Sequence, residues 1–252
     1  MSRYRLLILL AFTLPLLPLH ASPLAAPGGQ TSGNRPAFDP EETDSTVIVA
    51  GTDAVDARGL PDMSGLLVAV PDAQFPLLQR SERISLVGSG AAGSVENIFK
   101  RTSRLLKLTD DYALIQLSGI STLECRIFSK KKGGVLAMIH TVSVDSLPDS
   151  QISFLDAGEL TSIPVKKLLK EPKPEEFFDT SRLSGDAKRS FRDAFAQVPF
   201  FCVRYRFTPS GDGIEATLPL RELVSEELWN ELKPCLRPAP LIYRWNGKKF
   251  LR

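Results

Sequence analysis

His140 is the residue best suited to chemistry in this chain, because a neutral imidazole can act as a general base near neutral pH. The chain has two histidines, and His20 falls in an N-terminal segment that we expect to be removed on export. Any Ser–His–acid or Cys–His site would therefore have to include His140. His140 alternates with Leu136, Met138 and Val142, as on one face of a β-strand. A histidine in such a position is usually a hydrogen-bonded structural residue, so we predict no catalytic residue.

Carboxylates offer the second chemistry to consider, since a hydrolase with paired carboxylates needs two of them about 5–10 Å apart across a cleft. Five aspartates fall in or near predicted turns of the central part of the chain: Asp110, Asp111, Asp145, Asp149 and Asp156. Aspartates are common in turns because they hydrogen-bond to their own backbone. We favour this structural role. A secreted hydrolase that uses carboxylates or His140 remains the alternative.

The glycines between residues 88 and 93 formally match the pattern G-x-G-x-x-G. A dinucleotide site needs these glycines between a strand and a helix whose N-terminus meets the pyrophosphate. Here a predicted helix precedes Gly88 and strands follow Gly93, so a flexible loop is the favoured interpretation. The loop at residues 210–213 likewise lacks the carboxylates of a calcium-binding loop. We predict no cofactor and no metal site.

Aromatic side chains are concentrated in the last fifth of the chain. Such residues most often form the core, but aromatic side chains beside arginines are also typical of recognition surfaces. The second interpretation predicts a recognition patch made of Arg204, Arg206, Tyr243, Arg244 and Trp245. A glycan-binding module that uses these C-terminal aromatics is therefore a further alternative.

The elements that position these residues are predicted to form an α+β fold. Residues 104–155 alternate short apolar runs with polar turns, which is typical of an antiparallel β-meander. The run from Leu123 to Phe128 places its apolar residues on alternate positions, as in a half-buried strand. We therefore predict antiparallel β-meander sheets with a few packed helices. Residues 59–160 would form a meander-rich half and residues 161–252 a helix-plus-hairpin half, packed as one unit.

Helix signals flank this meander. Before it, residues 66–70 fit either a strand or a buried helical turn, and Pro76 suits the first turn of a helix that stops at Gly88. The apolar face of that helix would comprise Leu77, Leu78, Ser81, Ile84 and Ser85. After the meander, Ser184 is predicted to cap a helix over residues 185–198 and Ser225 a shorter one. An Asn246–Gly247 pair predicts a hairpin close to the C-terminus.

The N-terminus has the pattern of a secretory signal peptide over residues 1–21: Arg3 and Arg5, then a short apolar run, then a cleavage site after Ala21. Residues 22–58 are predicted to be a flexible leader. No later run approaches about 18 consecutive apolar residues, so we predict no membrane span. Loss of the two arginines would remove the excess of 31 basic over 29 acidic side chains, which argues against a nucleic-acid binder. We expect a periplasmic, extracellular or cell-surface protein.

Cysteine usage is sparse, and the three cysteines are too few to form a disulfide scaffold. We interpret Cys125, Cys202 and Cys235 as small buried residues, because free cysteine behaves as a small hydrophobic side chain. Export would also permit a disulfide bridge between Cys202 and Cys235. The spacing of the cysteines does not decide between these two interpretations.

The chain contains four short segments in a distinctive order: Val70–Leu78, Leu108–Tyr112, Thr141–Val142 and Asp149–Phe154. This order resembles that of a family of secreted proteins of unknown function found in Bacteroidales. The resemblance implies lineage and export, and it offers no activity or site residues to transfer. Together with the missing catalytic patterns, it favours a non-enzymatic envelope or cell-surface interaction protein. Its partner would be an envelope protein or a glycan.

Overall fold

The larger sheet is an antiparallel meander in which each strand pairs with the next along the chain. The structure, a computed structural model, describes residues 61–90 and 93–252. In this part of the chain the sheet contains seven strands: β1 Ser94–Glu96, β2 Thr102–Leu108, β3 Tyr112–Ser118, β4 Ser121–Ser129, β5 Gly134–Val144, β6 Leu147–Asp156 and β7 Ser162–Ile163. The predicted α+β class and meander are confirmed, and the sheet extends beyond the predicted residues at both ends.

The sheet separates two hydrophobic cores. In β4, Leu123 and Cys125 are buried on one face, while Glu124 and Arg126 are half-buried on the other, as the alternation predicted. The central strand β5 differs, because its first six residues are all buried. Both faces of β5 are covered there, which explains why this segment lacks the alternation of a half-buried strand.

Two helices cover the first face of the sheet: α1 Met63–Ala69 and α2 Arg80–Ser89. The Asp62 side chain caps α1 by accepting a hydrogen bond from the backbone N–H of Gly65 at 2.8 Å. Leu66 and Leu67 of α1 pack with Leu86 of α2 in the first core. The segment that fitted either a strand or a helical turn is therefore helical.

The predicted start of the second helix at Pro76 is wrong, because α2 begins four residues later. Leu77 has a φ of 63°, which a right-handed helix does not contain. Instead, Gln79 and Glu82 form a capping box in which the Glu82 carboxylate accepts from the Gln79 N–H at 2.6 Å. The helix also continues past the predicted stop at Gly88, and Gly90 supplies the positive φ of 61° at its end.

The predicted apolar face of this helix is also wrong. Ile84 is 47% exposed, and Ser81 and Ser85 are exposed as well. The buried positions of α2 are Arg83 and Leu86. A pattern search that counts only apolar residues misses this face, since an arginine is its largest buried side chain.

The second sheet and the remaining helices cover the other face of the meander. The sheet has the order β11-β10-β9-β8, with β8 Arg204–Phe207, β9 Gly213–Thr217, β10 Leu241–Trp245 and β11 Phe250–Leu251. The helices are α3 Val165–Leu168, α4 Gly185–Ala196 and α5 Glu226–Leu232. Ser184 and Ser225 cap α4 and α5 as predicted. The predicted Asn246–Gly247 hairpin joins β10 to β11, with Gly247 at a φ of 86°.

Aromatic rings dominate the second core, which lies between the two sheets. Phe128 and Phe154 of the meander each lie next to Phe250 of the second sheet, with ring centroids 4.9 Å and 5.6 Å apart. The three cysteines are buried and unbridged, so the disulfide between Cys202 and Cys235 is not formed. Among the described residues no helix is long and apolar enough to cross a membrane.

Candidate functional site

A cavity of about 340 Å³ lies between the first face of the meander and the chain that links α1 to α2. That link contains a short 3₁₀ turn at Asp72–Gln74. The lining residues come from this link and from strands β4, β5 and β6: Ala73, Gln74, Phe75, Pro76, Leu123, Met138, His140, Gln151, Ile152 and Ser153. The cavity therefore has a sheet as its floor and a loop as its wall.

His140 belongs to the floor of this cavity, where strand register places polar groups next to it. His140 pairs with Leu123 on β4 and with Gln151 on β6. Side chains two residues apart on neighbouring strands share a face, which brings Ser121 within reach. The Ser121 Oγ lies 2.7 Å from the His140 Nε2. The sequence placed His140 on a strand face, and the structure adds a serine hydroxyl as its hydrogen-bond partner.

The imidazole of His140 is held in its neutral form, because burial lowers its pKa below the ordinary value. No Asp or Glu is among the residues that line the cavity. Ser121 is only 5% exposed and is not itself a lining residue. Because Nε2 already bonds to Ser121, this arrangement leaves the other ring nitrogen, Nδ1, for a further hydrogen bond, and the hydroxyl beside the ring is almost fully buried.

The cavity wall contains an acceptor that lacks a partner. The Oε1 atom of Gln74 is buried and makes no hydrogen bond with the protein. Leaving a buried polar atom unpaired costs about 1–3 kcal/mol. Native proteins contain few such atoms, and they tend to mark places where a ligand, water or ion completes the hydrogen bonding.

Arg83 holds the wall of the cavity in place, although sequence reasoning did not identify it. Its side chain is 1% exposed, and its Nε donates to the Leu67 carbonyl at 2.7 Å. Its Nη1 donates to the Leu78 carbonyl at 2.7 Å and its Nη2 to the Val70 carbonyl at 2.5 Å. One guanidinium thus ties both ends of the link between α1 and α2 to the second helix.

Two further contacts connect Arg83 directly to the cavity wall. Its Nη1 forms an ion pair with Asp72 Oδ1 at 2.7 Å, within the 3₁₀ turn. Its guanidinium carbon also lies 4.6 Å from the ring centre of Phe75, a lining residue. Because the planar donors of Arg83 are all directed at fixed acceptors, we infer that the wall is preorganised.

The burial of His140 predicts a distinctive pH dependence of stability. An unfolded histidine has a pKa of about 6.5, and the folded pKa lies below it. The unfolded state therefore takes up a proton first, so this group makes the protein less stable as the pH falls below about 6.5. The slope from one such group does not exceed about 1.4 kcal/mol per pH unit.

Urea unfolding of the wild type and of His140→Gln at pH 7.5 and pH 5.5 measures this effect. The wild type should lose more stability on acidification than the variant. Burial raises the pKa of Asp149 and of Glu124, so both carboxyls give the opposite trend on acidification. Both carboxyls are present in the wild type and in the variant, so their contributions cancel when the two losses of stability are compared. Equal losses in the two proteins would show that the histidine does not titrate in this range.

The five predicted aspartates have structural roles, and none lines the cavity. Asp111 pairs with Arg126 at 3.3 Å, and Asp156 with Lys130 at 3.3 Å. Two act through their backbone: the Asp110 carbonyl accepts from Met63 N–H, and Asp145 has a φ of 49° in the turn between β5 and β6. The side chain of the last one, Asp149, accepts from Val203 N–H through Oδ1 at 3.3 Å. The Asp149 contact joins the second sheet to the meander, which the sequence did not indicate.

The residues of the predicted recognition patch lie on two different sides of the second sheet. Arg204, Arg206 and Arg244 are exposed on its outer face. Tyr243 is 4% exposed, and the Trp245 ring packs against Phe128, so both rings belong to the inner face. The Trp245 Nε1 also donates to the Ser129 carbonyl at 2.7 Å. The three arginines are thus the exposed part of the predicted patch, whereas Tyr243 is buried and Trp245 is half-buried.

Comparison with known proteins identifies a solved structure with a similar fold. A solved structure described as a domain of an uncharacterized protein from Porphyromonas gingivalis W83 is similar to this chain, with a TM-score of 0.63 and 23% sequence identity. The similarity covers 74% of this chain and 96% of that one. At this level of identity the similarity establishes a shared fold. No curated protein matches the chain.

Residues 59–250 match the sequence model of a family described as "Protein of unknown function (DUF3256)". The match includes both sheets, the cavity and all the segments on which the sequence resemblance was based. It confirms the expected membership of a family without an assigned activity. The chain therefore belongs to the DUF3256 family of proteins of unknown function.

Proposed function

We propose that this protein is an exported, non-enzymatic binding protein of the bacterial envelope or cell surface, and that the cavity beside His140 holds its ligand. The observation behind this proposal is a cavity of about 340 Å³ that is lined by three strands of the meander and by Gln74, whose buried Oε1 has no partner. Its volume lies at the low end of the range for small-molecule sites, about 300–1,000 Å³. The expected ligand is therefore small.

A binding role is favoured over hydrolysis by the position of the serine. A nucleophile must reach the scissile bond of a bound substrate, and its base must be oriented by a third group. Ser121 is only 5% exposed and does not line the cavity, and neither does any carboxylate. The hydrolase alternative retains one supporting observation, the 2.7 Å contact between Ser121 and His140.

Filling the cavity tests the binding role. Ser153 lies on the floor opposite Met138, so the bulky side chain of Ser153→Phe should occupy the space. Protein purified from cells and then denatured should release a small molecule that mass spectrometry detects. Ser153→Phe should release none, whereas Ser162→Phe, a matched change on the exposed edge strand β7, should behave as the wild type. Release of the same molecule from both variants would contradict the proposal.

The hydrolase alternative makes a different prediction about Ser121. If the protein hydrolyses a small ester such as p-nitrophenyl acetate, Ser121→Ala should abolish that activity, and so should Ser153→Phe. The binding proposal instead expects Ser121→Ala to retain the ligand and to lose only the hydrogen bond to His140. Activity that disappears in both variants would replace the binding role with catalysis.

Export is proposed on the N-terminal pattern and the family resemblance. Expression with the complete N-terminus in a Gram-negative host should yield a periplasmic protein whose mass corresponds to cleavage after Ala21. Replacing Leu9 and Leu10 in the apolar run with arginines should retain the uncleaved protein in the cytoplasm, because a signal peptide needs that run. An uncleaved wild-type protein would remove the support for an envelope location.

A further inference from the structure

The lining of the cavity is uncharged. Of its ten residues, none is Lys, Arg, Asp or Glu, and its one titratable group, His140, is kept neutral by burial. Arg83, which anchors the wall, is 1% exposed and is already paired with Asp72 and three carbonyls, so its charge is not available to a ligand. A charged ligand would enter without a partner for its charge, and burying an unpaired charge is strongly unfavourable.

The lining also divides into polar and apolar parts. Polar groups come from His140, Gln151 and Ser153 on the floor and from Gln74 in the wall. Apolar side chains complete the surface: Ala73, Phe75, Pro76, Leu123 and Met138. Ile152 also borders the cavity, although its side chain packs in the second core. A matching ligand has hydrogen-bonding groups around its edge and an apolar face.

We propose that the cavity binds an uncharged, hydroxyl-bearing ring, that is, a single sugar residue. This inference rests on the proposed binding function and specifies its ligand. A sugar hydroxyl donates and accepts at once, which suits side chains that do both, such as serine, glutamine and a neutral histidine. The C–H face of the ring suits the apolar part of the lining. The small volume fits one ring better than an extended chain.

Gln74 gives this proposal its sharpest test, because loss of its unpaired Oε1 should raise the stability of the empty protein and lower its affinity for the ligand. In the empty protein the buried acceptor is unsatisfied, so Gln74→Met should raise the unfolding temperature. In the occupied protein a ring hydroxyl donates to that acceptor, so the same variant should bind about tenfold more weakly, the equivalent of one hydrogen bond. A purely structural glutamine would not weaken binding.

Isothermal titration calorimetry can measure binding of D-glucose, D-galactose and N-acetyl-D-glucosamine. Gluconate and D-glucosamine provide charged counterparts of similar size, and N-acetylglycinamide provides an uncharged amide. At least one neutral sugar should bind, more tightly than the charged compounds and the amide. Gln116→Met, a matched change on β3 outside the cavity lining, should leave both binding and stability nearly unchanged.

The outcomes separate this inference from the proposed function. If a charged compound or the amide binds best and Ser153→Phe blocks it, the binding function holds and the sugar is wrong. Unchanged sugar affinity in Gln74→Met would also overturn the sugar inference. If none of the compounds binds, the sugar inference fails. If, in addition, no small molecule is released from the purified protein, the binding function fails with it.

Discussion

Replacing Arg83 with methionine should lower the free energy of unfolding by about 3–5 kcal/mol, the range for breaking a buried ionic network by removing one partner. Methionine keeps much of the apolar stem, so the loss isolates the guanidinium. Three backbone carbonyls, those of Leu67, Val70 and Leu78, would lose a charged donor. Buried carbonyls left without a partner cost about 1–3 kcal/mol each, less where water can enter.

Urea unfolding at pH 7.5 measures this loss, and Arg80→Met is the matched control. Arg80 is the first residue of the same helix and is exposed, so its replacement should change stability by no more than about 0.5 kcal/mol. Arg83→Lys should also be destabilised, because an ammonium cannot reproduce the planar set of donors. Similar stabilities of Arg83→Met and Arg80→Met would show that the network does not hold the wall.

Arg83→Met should also affect ligand binding, because Arg83 contacts the cavity wall. Asp72 and Phe75 contact Arg83, and Phe75 lines the cavity. Loss of the guanidinium should therefore loosen the wall and reduce ligand affinity even under conditions in which the protein remains folded. This expectation agrees with the general finding that preorganised sites bind more tightly than sites that must be ordered on binding.

The sequence predicted the parts of the fold that depend on local patterns. The alternation in β4 and the turn at Asn246–Gly247 are set by residues close together in the chain, and both were predicted correctly. The caps of α4 and α5 are equally local. The start of α2 was predicted wrongly because Pro76 is a plausible first-turn residue, whereas the positive φ of Leu77 depends on the tertiary structure around it.

The candidate site was largely hidden from sequence reasoning because its residues are distant in the chain. The cavity combines residues 73–76 with residues 123–153, and the partner of His140 is 19 positions away. That pairing depends on strand register, which alternation alone does not fix. Composition also cannot separate a buried aromatic from an exposed one, and so it grouped Tyr243 with the exposed arginines.

Phe154→Ala should destabilise the protein by about 3–5 kcal/mol, the usual cost of removing a buried phenylalanine ring. Phe154 lies in the second half of β6, is fully buried, and stacks on Phe250 of the second sheet at 5.6 Å. The ring fills space between two hydrogen-bonded sheets, which cannot easily move together to close the void. Urea unfolding checks the value. Phe99→Ala is the matched control, expected to cost less than about 1 kcal/mol because Phe99 is 54% exposed.

Substitutions of Phe154 and Arg83 test the two opposite faces of the meander. Phe154 pairs with Ala137 and faces the second core, whereas His140 and the cavity lie on the first face. Phe154→Ala should therefore reduce stability while leaving ligand affinity unchanged in the folded protein, and Arg83→Met should reduce both. If Phe154→Ala weakened binding as much as Arg83→Met, the meander would be transmitting strain between its faces. The cavity would then depend on the second sheet as well as on the Arg83 network.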